Sequence, residues 1–512
     1  MTSSCSISGN RRPIRALELF VLAIALAAGW SAAPRFAGAQ ERPAFAPGMI
    51  DHMQQMRRFK DPDKGVQPTP TVIPRFGTGR DPSGEVATFQ PNGATFTFNN
   101  AFFKNLGTNG RTCFTCHQGE SGWTVSADGV AKRFSESAGA DPIFRLVDGA
   151  TCPNADVSTL AAKQEAYKLL TSKGVLRIGL PIPAGAEFEV TAVDDPYNCN
   201  TNPETGLTSP TSGIVSTYRR PLPSTNLGFL SAIMWDGREP SLGSQAMDAT
   251  LGHAQAASPP TAAQVAEIVA FETGIFTAQA FDRKAKELSS DRSNGGPVAL
   301  SSQLAKFFVG VNDPLGQNPS GLPFTSQIFD PFRPWLGVKG NSPVVDQRRS
   351  IARGEELFNN TVINITGVSG LNDELNIASI PGFCGTCHDT PNVGNHSVSA
   401  PLDIGVADAG SNSPPGLDIS ELPVFTLTCT QGPLTGRTYT VTDPGRAMIS
   451  GKCKDIGRFK GPILRGLAAR APYFHNGSAA TLMDVMNFYD QRFAIGLTEQ
   501  QKLDLVNFLN TL

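Results

Sequence analysis

The sequence is poor in charge and in histidine. Charged residues make up 17% of the 512 residues and the formal net charge is −2, whereas an average soluble chain carries about 25% charged residues. The chain lacks the basic surplus of nucleic-acid-binding proteins, so no nucleic-acid partner is expected. With only 6 His and 9 Cys, the positions of these residues indicate where chemistry can occur.

Long apolar runs are also missing after the N-terminal segment. None reaches the roughly 18 residues of a membrane-spanning helix, so we expect no stable membrane span. Glycine and proline are abundant instead, with 51 and 39 residues. This composition predicts long ordered loops, and the length of the chain predicts two or three domains.

Residues 1–39 are typical of a secretory signal peptide. A positively charged start, which includes Arg11 and Arg15, precedes an apolar run from Leu17 to Trp30. The small residues up to Ala39 then form a cleavage site. This pattern predicts export to the periplasm, although an uncleaved membrane anchor is an alternative.

The motif Cys-x-x-Cys-His occurs twice and is the attachment site of c-type haem. Two thiols at this spacing add to the haem vinyl groups, and the histidine that follows becomes an axial ligand of the iron. A zinc site or a redox dithiol is the alternative, but neither motif has the second CxxC of a zinc ribbon. The sequence therefore predicts two covalently bound c-type haems, held by Cys113, Cys116, His117 and by Cys384, Cys387, His388.

Four of the other cysteines remain after Cys5 leaves with the signal peptide. An oxidising compartment favours disulfides among them. We expect the pairs Cys152–Cys199 and Cys429–Cys453, because each pair lies within one segment between or after the haem motifs. These disulfides would hold loops together and would have no catalytic role.

The order of these motifs predicts a mainly α fold with extensive loops, in which two cytochrome c-type haem domains pack around an interdomain region. We place the N-terminal domain at 40–345, with insertions, and the C-terminal domain at 346–512. Apolar residues at helical spacing predict helices over 261–289 and 348–359. Thr498 and Gln501 have the spacing of a capping box and predict the start of a terminal helix.

Two further motifs carry a family resemblance. The first runs from Gly461 through Ala-Pro-Tyr-Phe-His-Asn-Gly (471–477) to Leu482, and the second is Met-Trp-Asp-Gly-Arg (234–238). Together with the haem motifs, they resemble the bacterial dihaem cytochrome c peroxidases and MauG-type enzymes. The resemblance covers 100–117, 219–255 and 350–512, and leaves the insertions at 118–215 and 290–345 outside it.

The resemblance implies a peroxide-dependent oxidoreductase of the periplasm. Hydrogen peroxide would react at the N-terminal haem, and electrons would arrive from the C-terminal haem through Trp235. The electron donor would be a small protein, either a cytochrome c or a cupredoxin, or a side chain of a protein substrate.

The resemblance also implies a second axial ligand for the C-terminal haem. Peroxidases of the family carry Met fourteen residues after the histidine that is His475 here, and MauG-type enzymes carry Tyr there. In this sequence the position is Tyr489, so we expect Tyr489 to bind iron. Met486, one helical turn earlier, is the rival ligand.

The distal side of the N-terminal haem departs from the family. No histidine follows His117 until His253, which excludes a second histidine ligand from the intervening loop. Gln255 stands where the family has a catalytic glutamate. Peroxide cleavage needs a group that moves a proton between the two oxygens. The hypothesis is that His253 does this, with Gln245 or Gln255 as its hydrogen-bond partner. A sixth iron ligand and a loop histidine without a role are the alternatives.

Three points stay open at this level. The family binds calcium between its domains, but Arg220 replaces an asparagine ligand of that ion, so calcium is doubtful here. A dihaem oxygenase that cleaves an apolar organic substrate is a second interpretation, because the glutamate is missing and the insertions are large. A non-catalytic dihaem electron carrier is the third.

Overall fold

The computed structural model describes residues 69–209, 213–316 and 318–512. The predicted signal peptide at 1–39, Cys5 and the first part of the following Pro- and Gly-rich segment lie outside these residues. No helix within the described ranges is both long enough and apolar enough to cross a membrane.

The helices are short and separated by long loops. The α-helices of the described residues are α1 (Cys113–Cys116), α2 (Ala127–Ser137), α3 (Leu160–Ala166), α4 (Lys168–Lys173), α5 (Leu242–Gly252), α6 (Ala262–Gly274), α7 (Pro297–Ser301), α8 (Pro343–Asn360), α9 (Asn372–Leu375), α10 (Ala447–Ser450), α11 (Leu482–Phe493) and α12 (Glu499–Leu509). The 3₁₀ turn Cys384–Thr386 carries the second haem motif.

Small antiparallel sheets lie between the helices. The strands are β1 (Val72–Ile73), β2 (Phe76–Arg80), β3 (Gly84–Phe89), β4 (Thr95–Phe96), β5 (Leu176–Pro181), β6 (Phe188–Asp194), β7 (Ile214–Arg219), β8 (Phe276–Asp282), β9 (Lys286–Glu287), β10 (Ile363–Thr366), β11 (Ser379–Gly382), β12 (Val424–Cys429) and β13 (Thr438–Val441). They form sheets of order β2-β3-β8-β9, β13-β12-β6, β5-β7, β1-β4 and β10-β11. The predicted mainly α fold is therefore confirmed only in part: helices and loops are present, and the sheets were not predicted.

Two helix predictions hold and one is wrong over half its length. The helix predicted at 348–359 lies within α8, and α12 begins with the predicted capping box, in which Thr498 Oγ1 accepts from the Gln501 amide at 3.3 Å. The helix predicted at 261–289 ends at Gly274, and β8 follows it. Most of β8 is buried on both faces, and such a strand cannot be told from a buried helix by periodicity.

An aromatic core lies against each haem motif. Near the first motif, the rings of Phe102 and Phe271 pack at 4.8 Å, and Phe102 lies 6.2 Å from the ring of His117. Near the second motif, Phe358 packs 5.8 Å from Phe508 of α12 and 6.2 Å from the ring of His388. These cores fix the positions of the two histidines.

One sheet crosses the predicted domain boundary at 345. Strand β6 belongs to the insertion at 118–215, and it pairs antiparallel with β12 of the C-terminal part. Phe188 lies opposite Cys429 and Val190 opposite Leu427 in this pairing. The insertion is thus held to the C-terminal part by main-chain hydrogen bonds, while the division into two haem domains stays a prediction.

A buried carboxyl group of α8 makes stability depend on pH. Glu355 is 2% exposed and accepts a hydrogen bond from the Phe332 amide at 2.8 Å. Burial raises the pKa of Glu355 to about 8 from its usual 4.5. The unfolded chain therefore loses this proton first as the pH rises, so the folded state becomes less stable between pH 4.5 and pH 8.

Glu355→Gln is expected to remove this decline, because glutamine keeps an oxygen for the Phe332 amide and carries no titratable proton. Relative to the wild type, the variant should gain about 2 kcal/mol of unfolding free energy between pH 5 and pH 8. Urea unfolding at the two pH values measures the difference. If the difference in unfolding free energy between the two proteins is the same at pH 5 and pH 8, the raised pKa of Glu355 is contradicted.

Candidate functional site

The two haem motifs have the same local structure. In each, the threonine between the cysteines accepts a hydrogen bond from the amide that precedes the first cysteine: Thr115 Oγ1 from Thr112 and Thr386 Oγ1 from Phe383, both at 2.9 Å. This bond closes a single turn. The four cysteines of the motifs are the free cysteines of the described residues, so their thiols are available for haem attachment.

Each motif histidine is oriented for metal binding. His117 Nδ1 lies 2.9 Å from the Trp123 carbonyl oxygen, and His388 Nδ1 lies 2.6 Å from the Gly394 carbonyl oxygen. A proton on Nδ1 satisfies that carbonyl and leaves the Nε2 lone pair free to bind a metal. Burial lowers the pKa of each histidine to about 4, so both imidazoles are neutral at pH 7.

A cavity, called cavity 1 here, opens beside the first motif. Its wall includes Cys113, Cys116, His117, Trp235, Gln245, His253 and Glu272, together with leucine and isoleucine side chains. The structure therefore brings three of the four predicted catalytic residues to the first haem motif. His253 and His117 thus line the same cavity.

Asp148 orients His253 and was missed by the sequence analysis. Its Oδ2 lies 2.5 Å from His253 Nδ1, and its Oδ1 accepts from Arg111 Nη1 at 2.5 Å. Burial alone would raise the pKa of Asp148, but Arg111 and His253 lower it below its usual value, so Asp148 is a carboxylate. Such a carboxylate holds the proton of His253 on Nδ1 and leaves Nε2 free.

Gln255 does not reach cavity 1. The residue is exposed, its φ is 53°, and its Oε1 accepts from Asn109 Nδ2 at 3.1 Å. The prediction that Gln255 is a hydrogen-bond partner of His253 is therefore wrong, and Asp148 takes that place. Gln245 lies on α5 and lines cavity 1 as expected.

Glu272 is a second residue that the sequence analysis did not assign. It is 3% exposed and is the one carboxyl group on the described wall of cavity 1. Burial raises its pKa to about 8, although a hydrogen bond with Ser224 acts in the opposite direction. Ser224 Oγ lies 3.0 Å from His117 Nδ1, so this carboxyl group is linked to the first haem motif through one hydroxyl.

A second cavity, cavity 2, opens beside the second motif. Cys384, Cys387 and His388 line it, together with Met486 and Tyr489 of α11. Burial and the nearby cysteine thiols raise the pKa of Tyr489. Both predicted ligand candidates thus line this cavity, and their position in its wall does not show which of them would bind iron.

Most of the rest of the cavity 2 wall is apolar, with Phe, Leu, Ile and Val side chains, and no Asp or Glu of the described residues lines it. Two thiols, a neutral histidine and broad apolar walls suit a covalently attached haem. Cavity 1 offers the same donor set. Each site therefore has the donor set that a c-type haem requires.

Trp235 lines both cavities. Its Nε1 donates to the Arg220 carbonyl oxygen at 2.7 Å, and its ring lies 6.2 Å from the ring of His475. The next residue, Asp236, forms a buried ion pair with Arg219 at 2.5 Å. These contacts hold the indole in the wall that the cavities share.

Arg220 lies beside Trp235 with a buried guanidinium. The group donates to the carbonyl oxygens of Lys173, Val125 and Arg470 at 2.9, 2.7 and 2.8 Å. A side-chain cation therefore occupies a cluster of carbonyl oxygens at this point, and the doubt about calcium stays an expectation.

Comparison with known proteins gives matches of limited extent. A family model described as "RoxA-like, cytochrome c-like" matches residues 458–495. The cytochrome-c peroxidase IdrP1 of Denitromonas iodatirespirans is 43% identical over 88 residues, which is 15% of this chain and 23% of the relative. IdrP1 of Pseudomonas sp. (strain SCT) is 35% identical over 81 residues, 14% of this chain and 21% of the relative. The match thus spans less than a quarter of either relative.

A solved structure overlaps more of the chain at lower similarity. It is the crystal structure of a MauG-like protein associated with microbial copper homeostasis, with 17% identity, coverage of 81% of this chain and 86% of that chain, and a TM-score of 0.36. At this TM-score the overlap does not establish a common fold. The sequence matches and the family model show that segments of this chain are similar to cytochrome-c peroxidases and to a RoxA-like, cytochrome c-like domain.

Proposed function

We propose that this chain is a periplasmic dihaem oxidoreductase of the peroxidase type. The observation that carries the proposal is that one tryptophan, Trp235, lines two cavities that each present a CxxCH motif. Cys113, Cys116 and His117 would hold one haem, and Cys384, Cys387 and His388 the other. When bound, the haems supply redox-active iron.

His253 is the proton-transfer group in this proposal. Asp148 keeps the proton on Nδ1, so Nε2 takes a proton from the inner oxygen of hydrogen peroxide and returns it to the outer oxygen. The positive charge that forms briefly on the imidazole is stabilised by the Asp148 carboxylate 2.5 Å away. Gln245, on the same wall, is positioned to hydrogen-bond the peroxide.

Trp235 and one residue of α11 complete the proposal. Trp235 lies in the wall shared by the cavities and would carry electrons from the second site to the first. Tyr489 would bind the second iron, with Met486 as the rival ligand. A phenolate ligand favours the higher oxidation states of iron, whereas a thioether favours the reduced state.

The environment of the other cysteines supports export. The structure places Cys152 with Cys199 and Cys429 with Cys453, at Cα–Cα distances of 5.4 and 6.1 Å, which are the predicted pairs. Such distances suit disulfides, and disulfides persist in an oxidising compartment such as the periplasm. The predicted signal peptide at 1–39 is consistent with that location.

An oxygenase is the second candidate. Besides charged and other side chains, leucine and isoleucine residues line cavity 1, and these would suit an apolar organic substrate. In this case cavity 1 would take up the substrate with dioxygen, and peroxide would be no better than air as the oxidant.

The test uses the purified haem-loaded protein. A pyridine haemochrome assay is expected to give two haems per chain, and the Cys384→Ala/Cys387→Ala variant one. Stoichiometric hydrogen peroxide is expected to remove a high-spin ferric EPR signal and then to oxidise a reduced cytochrome c or cupredoxin. If both irons are low-spin and do not react with peroxide, in the fully oxidised and in the half-reduced protein, the result would indicate an electron carrier. Oxygen consumption with an apolar substrate would indicate the oxygenase.

A further inference from the structure

Cavity 2 contains buried positive charge without a counter-ion. Lys460, Arg220 and Arg470 line it, and no acidic side chain of the described residues does. Lys460 and Arg220 are buried, with 6% and 5% exposed, and Arg470 is partly buried. Arg220 donates to three carbonyl oxygens, so the cations with unused donors are Lys460 and Arg470.

Lys460 is fixed by its backbone but not by its side chain. Its amide donates to the Trp235 carbonyl oxygen at 2.9 Å. Among the described residues, its ammonium group has no hydrogen-bond or ion-pair partner. Burial and the charge of Arg470 lower the pKa of Lys460 to about 7. A buried ammonium in this state is costly unless an anion pairs with it.

Arg470 has a similar deficit. One end of its guanidinium donates to the Ile463 carbonyl oxygen, while its buried Nε has no partner in the structure. Both side chains line cavity 2. The Lys460 amide donates to Trp235, and the Arg470 carbonyl oxygen accepts from Arg220, to whose carbonyl the Trp235 indole donates, so the two segments meet around Trp235. Two cations with unused donors on one cavity wall offer partners for the two oxygens of a carboxylate.

The wall of cavity 2 is amphipathic for the same reason. The thiols and His388 stand among apolar side chains, and the cations lie next to Trp235 and the region shared with cavity 1. A ligand that fits both parts is a large apolar ring with a carboxylate at one edge.

We propose that Lys460 and Arg470 bind a carboxylate group of the ligand of cavity 2, namely a propionate of the haem attached at Cys384 and Cys387. This inference rests on the proposed function, because it requires a haem at that site. The bound carboxylate neutralises the cations and points that edge of the haem towards Trp235. Lys460 and Arg470 are thus positioning residues for electron transfer between the two sites.

The test compares the melting temperature of haem-loaded Lys460→Met with that of the wild type. If a haem carboxylate pairs with the ammonium, the variant leaves that carboxylate without its partner and melts about 5 °C lower. If the ammonium is unpaired, the same substitution removes a buried unpaired charge and the protein melts at a higher temperature, which would overturn the proposal. Lys460→Gln is expected to show the same sign should the methionine variant fail to fold.

The reduction potential of the second iron gives a readout beyond packing. Loss of the cation beside the carboxylate makes the site more negative, so Lys460→Met is expected to lower this potential, and Lys460→Arg to restore it. Lys173→Met is the matched control, because Lys173 is a buried lysine paired with Asp418 at 2.5 Å and does not line either cavity. It should lower the melting temperature and leave the potential unchanged.

Two further outcomes are separable. If the pyridine haemochrome assay finds no haem at Cys384 and Cys387, the proposed function fails and this inference fails with it. If the haem is present but the melting difference between Lys460→Met and wild type disappears on removal of acetate and phosphate from the buffer, the anion is a free one. That result would overturn the assignment to the haem carboxylate but not the proposed function.

Discussion

His253→Ala is expected to slow the reaction of the haem-loaded protein with hydrogen peroxide by about 10²- to 10⁴-fold, the usual contribution of general acid–base catalysis. The imidazole lines cavity 1, and its 2.5 Å contact with the Asp148 carboxylate fixes its orientation. Without it, no group at that position moves the proton between the peroxide oxygens. Stopped-flow absorption at the Soret band measures the rate.

Two variants separate the interpretations of this result. Gln255→Ala is the matched control, because Gln255 occupies the family's glutamate position but is exposed and bonded to Asn109, so its loss should not change the rate. Glu272→Gln tests the other carboxyl group of cavity 1. A rate that falls with Glu272→Gln and not with His253→Ala would assign proton transfer to Glu272. A change from low-spin to high-spin iron in His253→Ala would identify His253 as an iron ligand.

Tyr489→Phe is expected to raise the reduction potential of the second iron by on the order of 0.1 V, since axial ligands set haem potentials over a range of about 0.8 V. Loss of a phenolate ligand removes negative charge from the iron and favours its reduced state. Phenylalanine preserves the packing of the ring, which stacks on Phe493 at 6.3 Å. Spectroelectrochemical titration of the two haems measures the shift.

Met486→Leu is the control for this experiment, because Met486 lines the same cavity one turn earlier on α11. It should leave both the potential and the ferric EPR spectrum unchanged. If the methionine variant shifts the potential and the tyrosine variant does not, Met486 is the ligand and the protein is peroxidase-like rather than MauG-like at this site.

Local spacing made the two haem motifs predictable. The cysteines, the histidine and the threonine that closes the turn all lie within six residues, from Thr112 to His117 and from Phe383 to His388. Helix caps were predictable for the same reason. The positions of Trp235 and Tyr489 on the cavity walls followed from motif spacing, and their roles stay predictions.

Contacts between distant segments were not predictable from the sequence. Asp148 lies 105 residues before His253, in an insertion without a family counterpart, and no local pattern marks it as the partner. The prediction for Gln255 failed because spacing along the chain does not give the direction of the backbone. The φ of Gln255 is 53°, as in a turn, and its side chain does not line cavity 1. Strand β8 was missed because both of its faces are buried.

The pairing of β6 with β12 has a consequence for the distance between the two cavities. This ladder joins the insertion at 118–215, which supplies Asp148, to the C-terminal part, which supplies the second haem motif. Electron tunnelling slows exponentially with distance, so a hinge between the two parts would make the transfer rate fluctuate. The paired strands restrict such motion. In the proposed function, a change in this pairing would therefore alter the distance between the two cavities, although the insertion contains no cysteine of either haem motif.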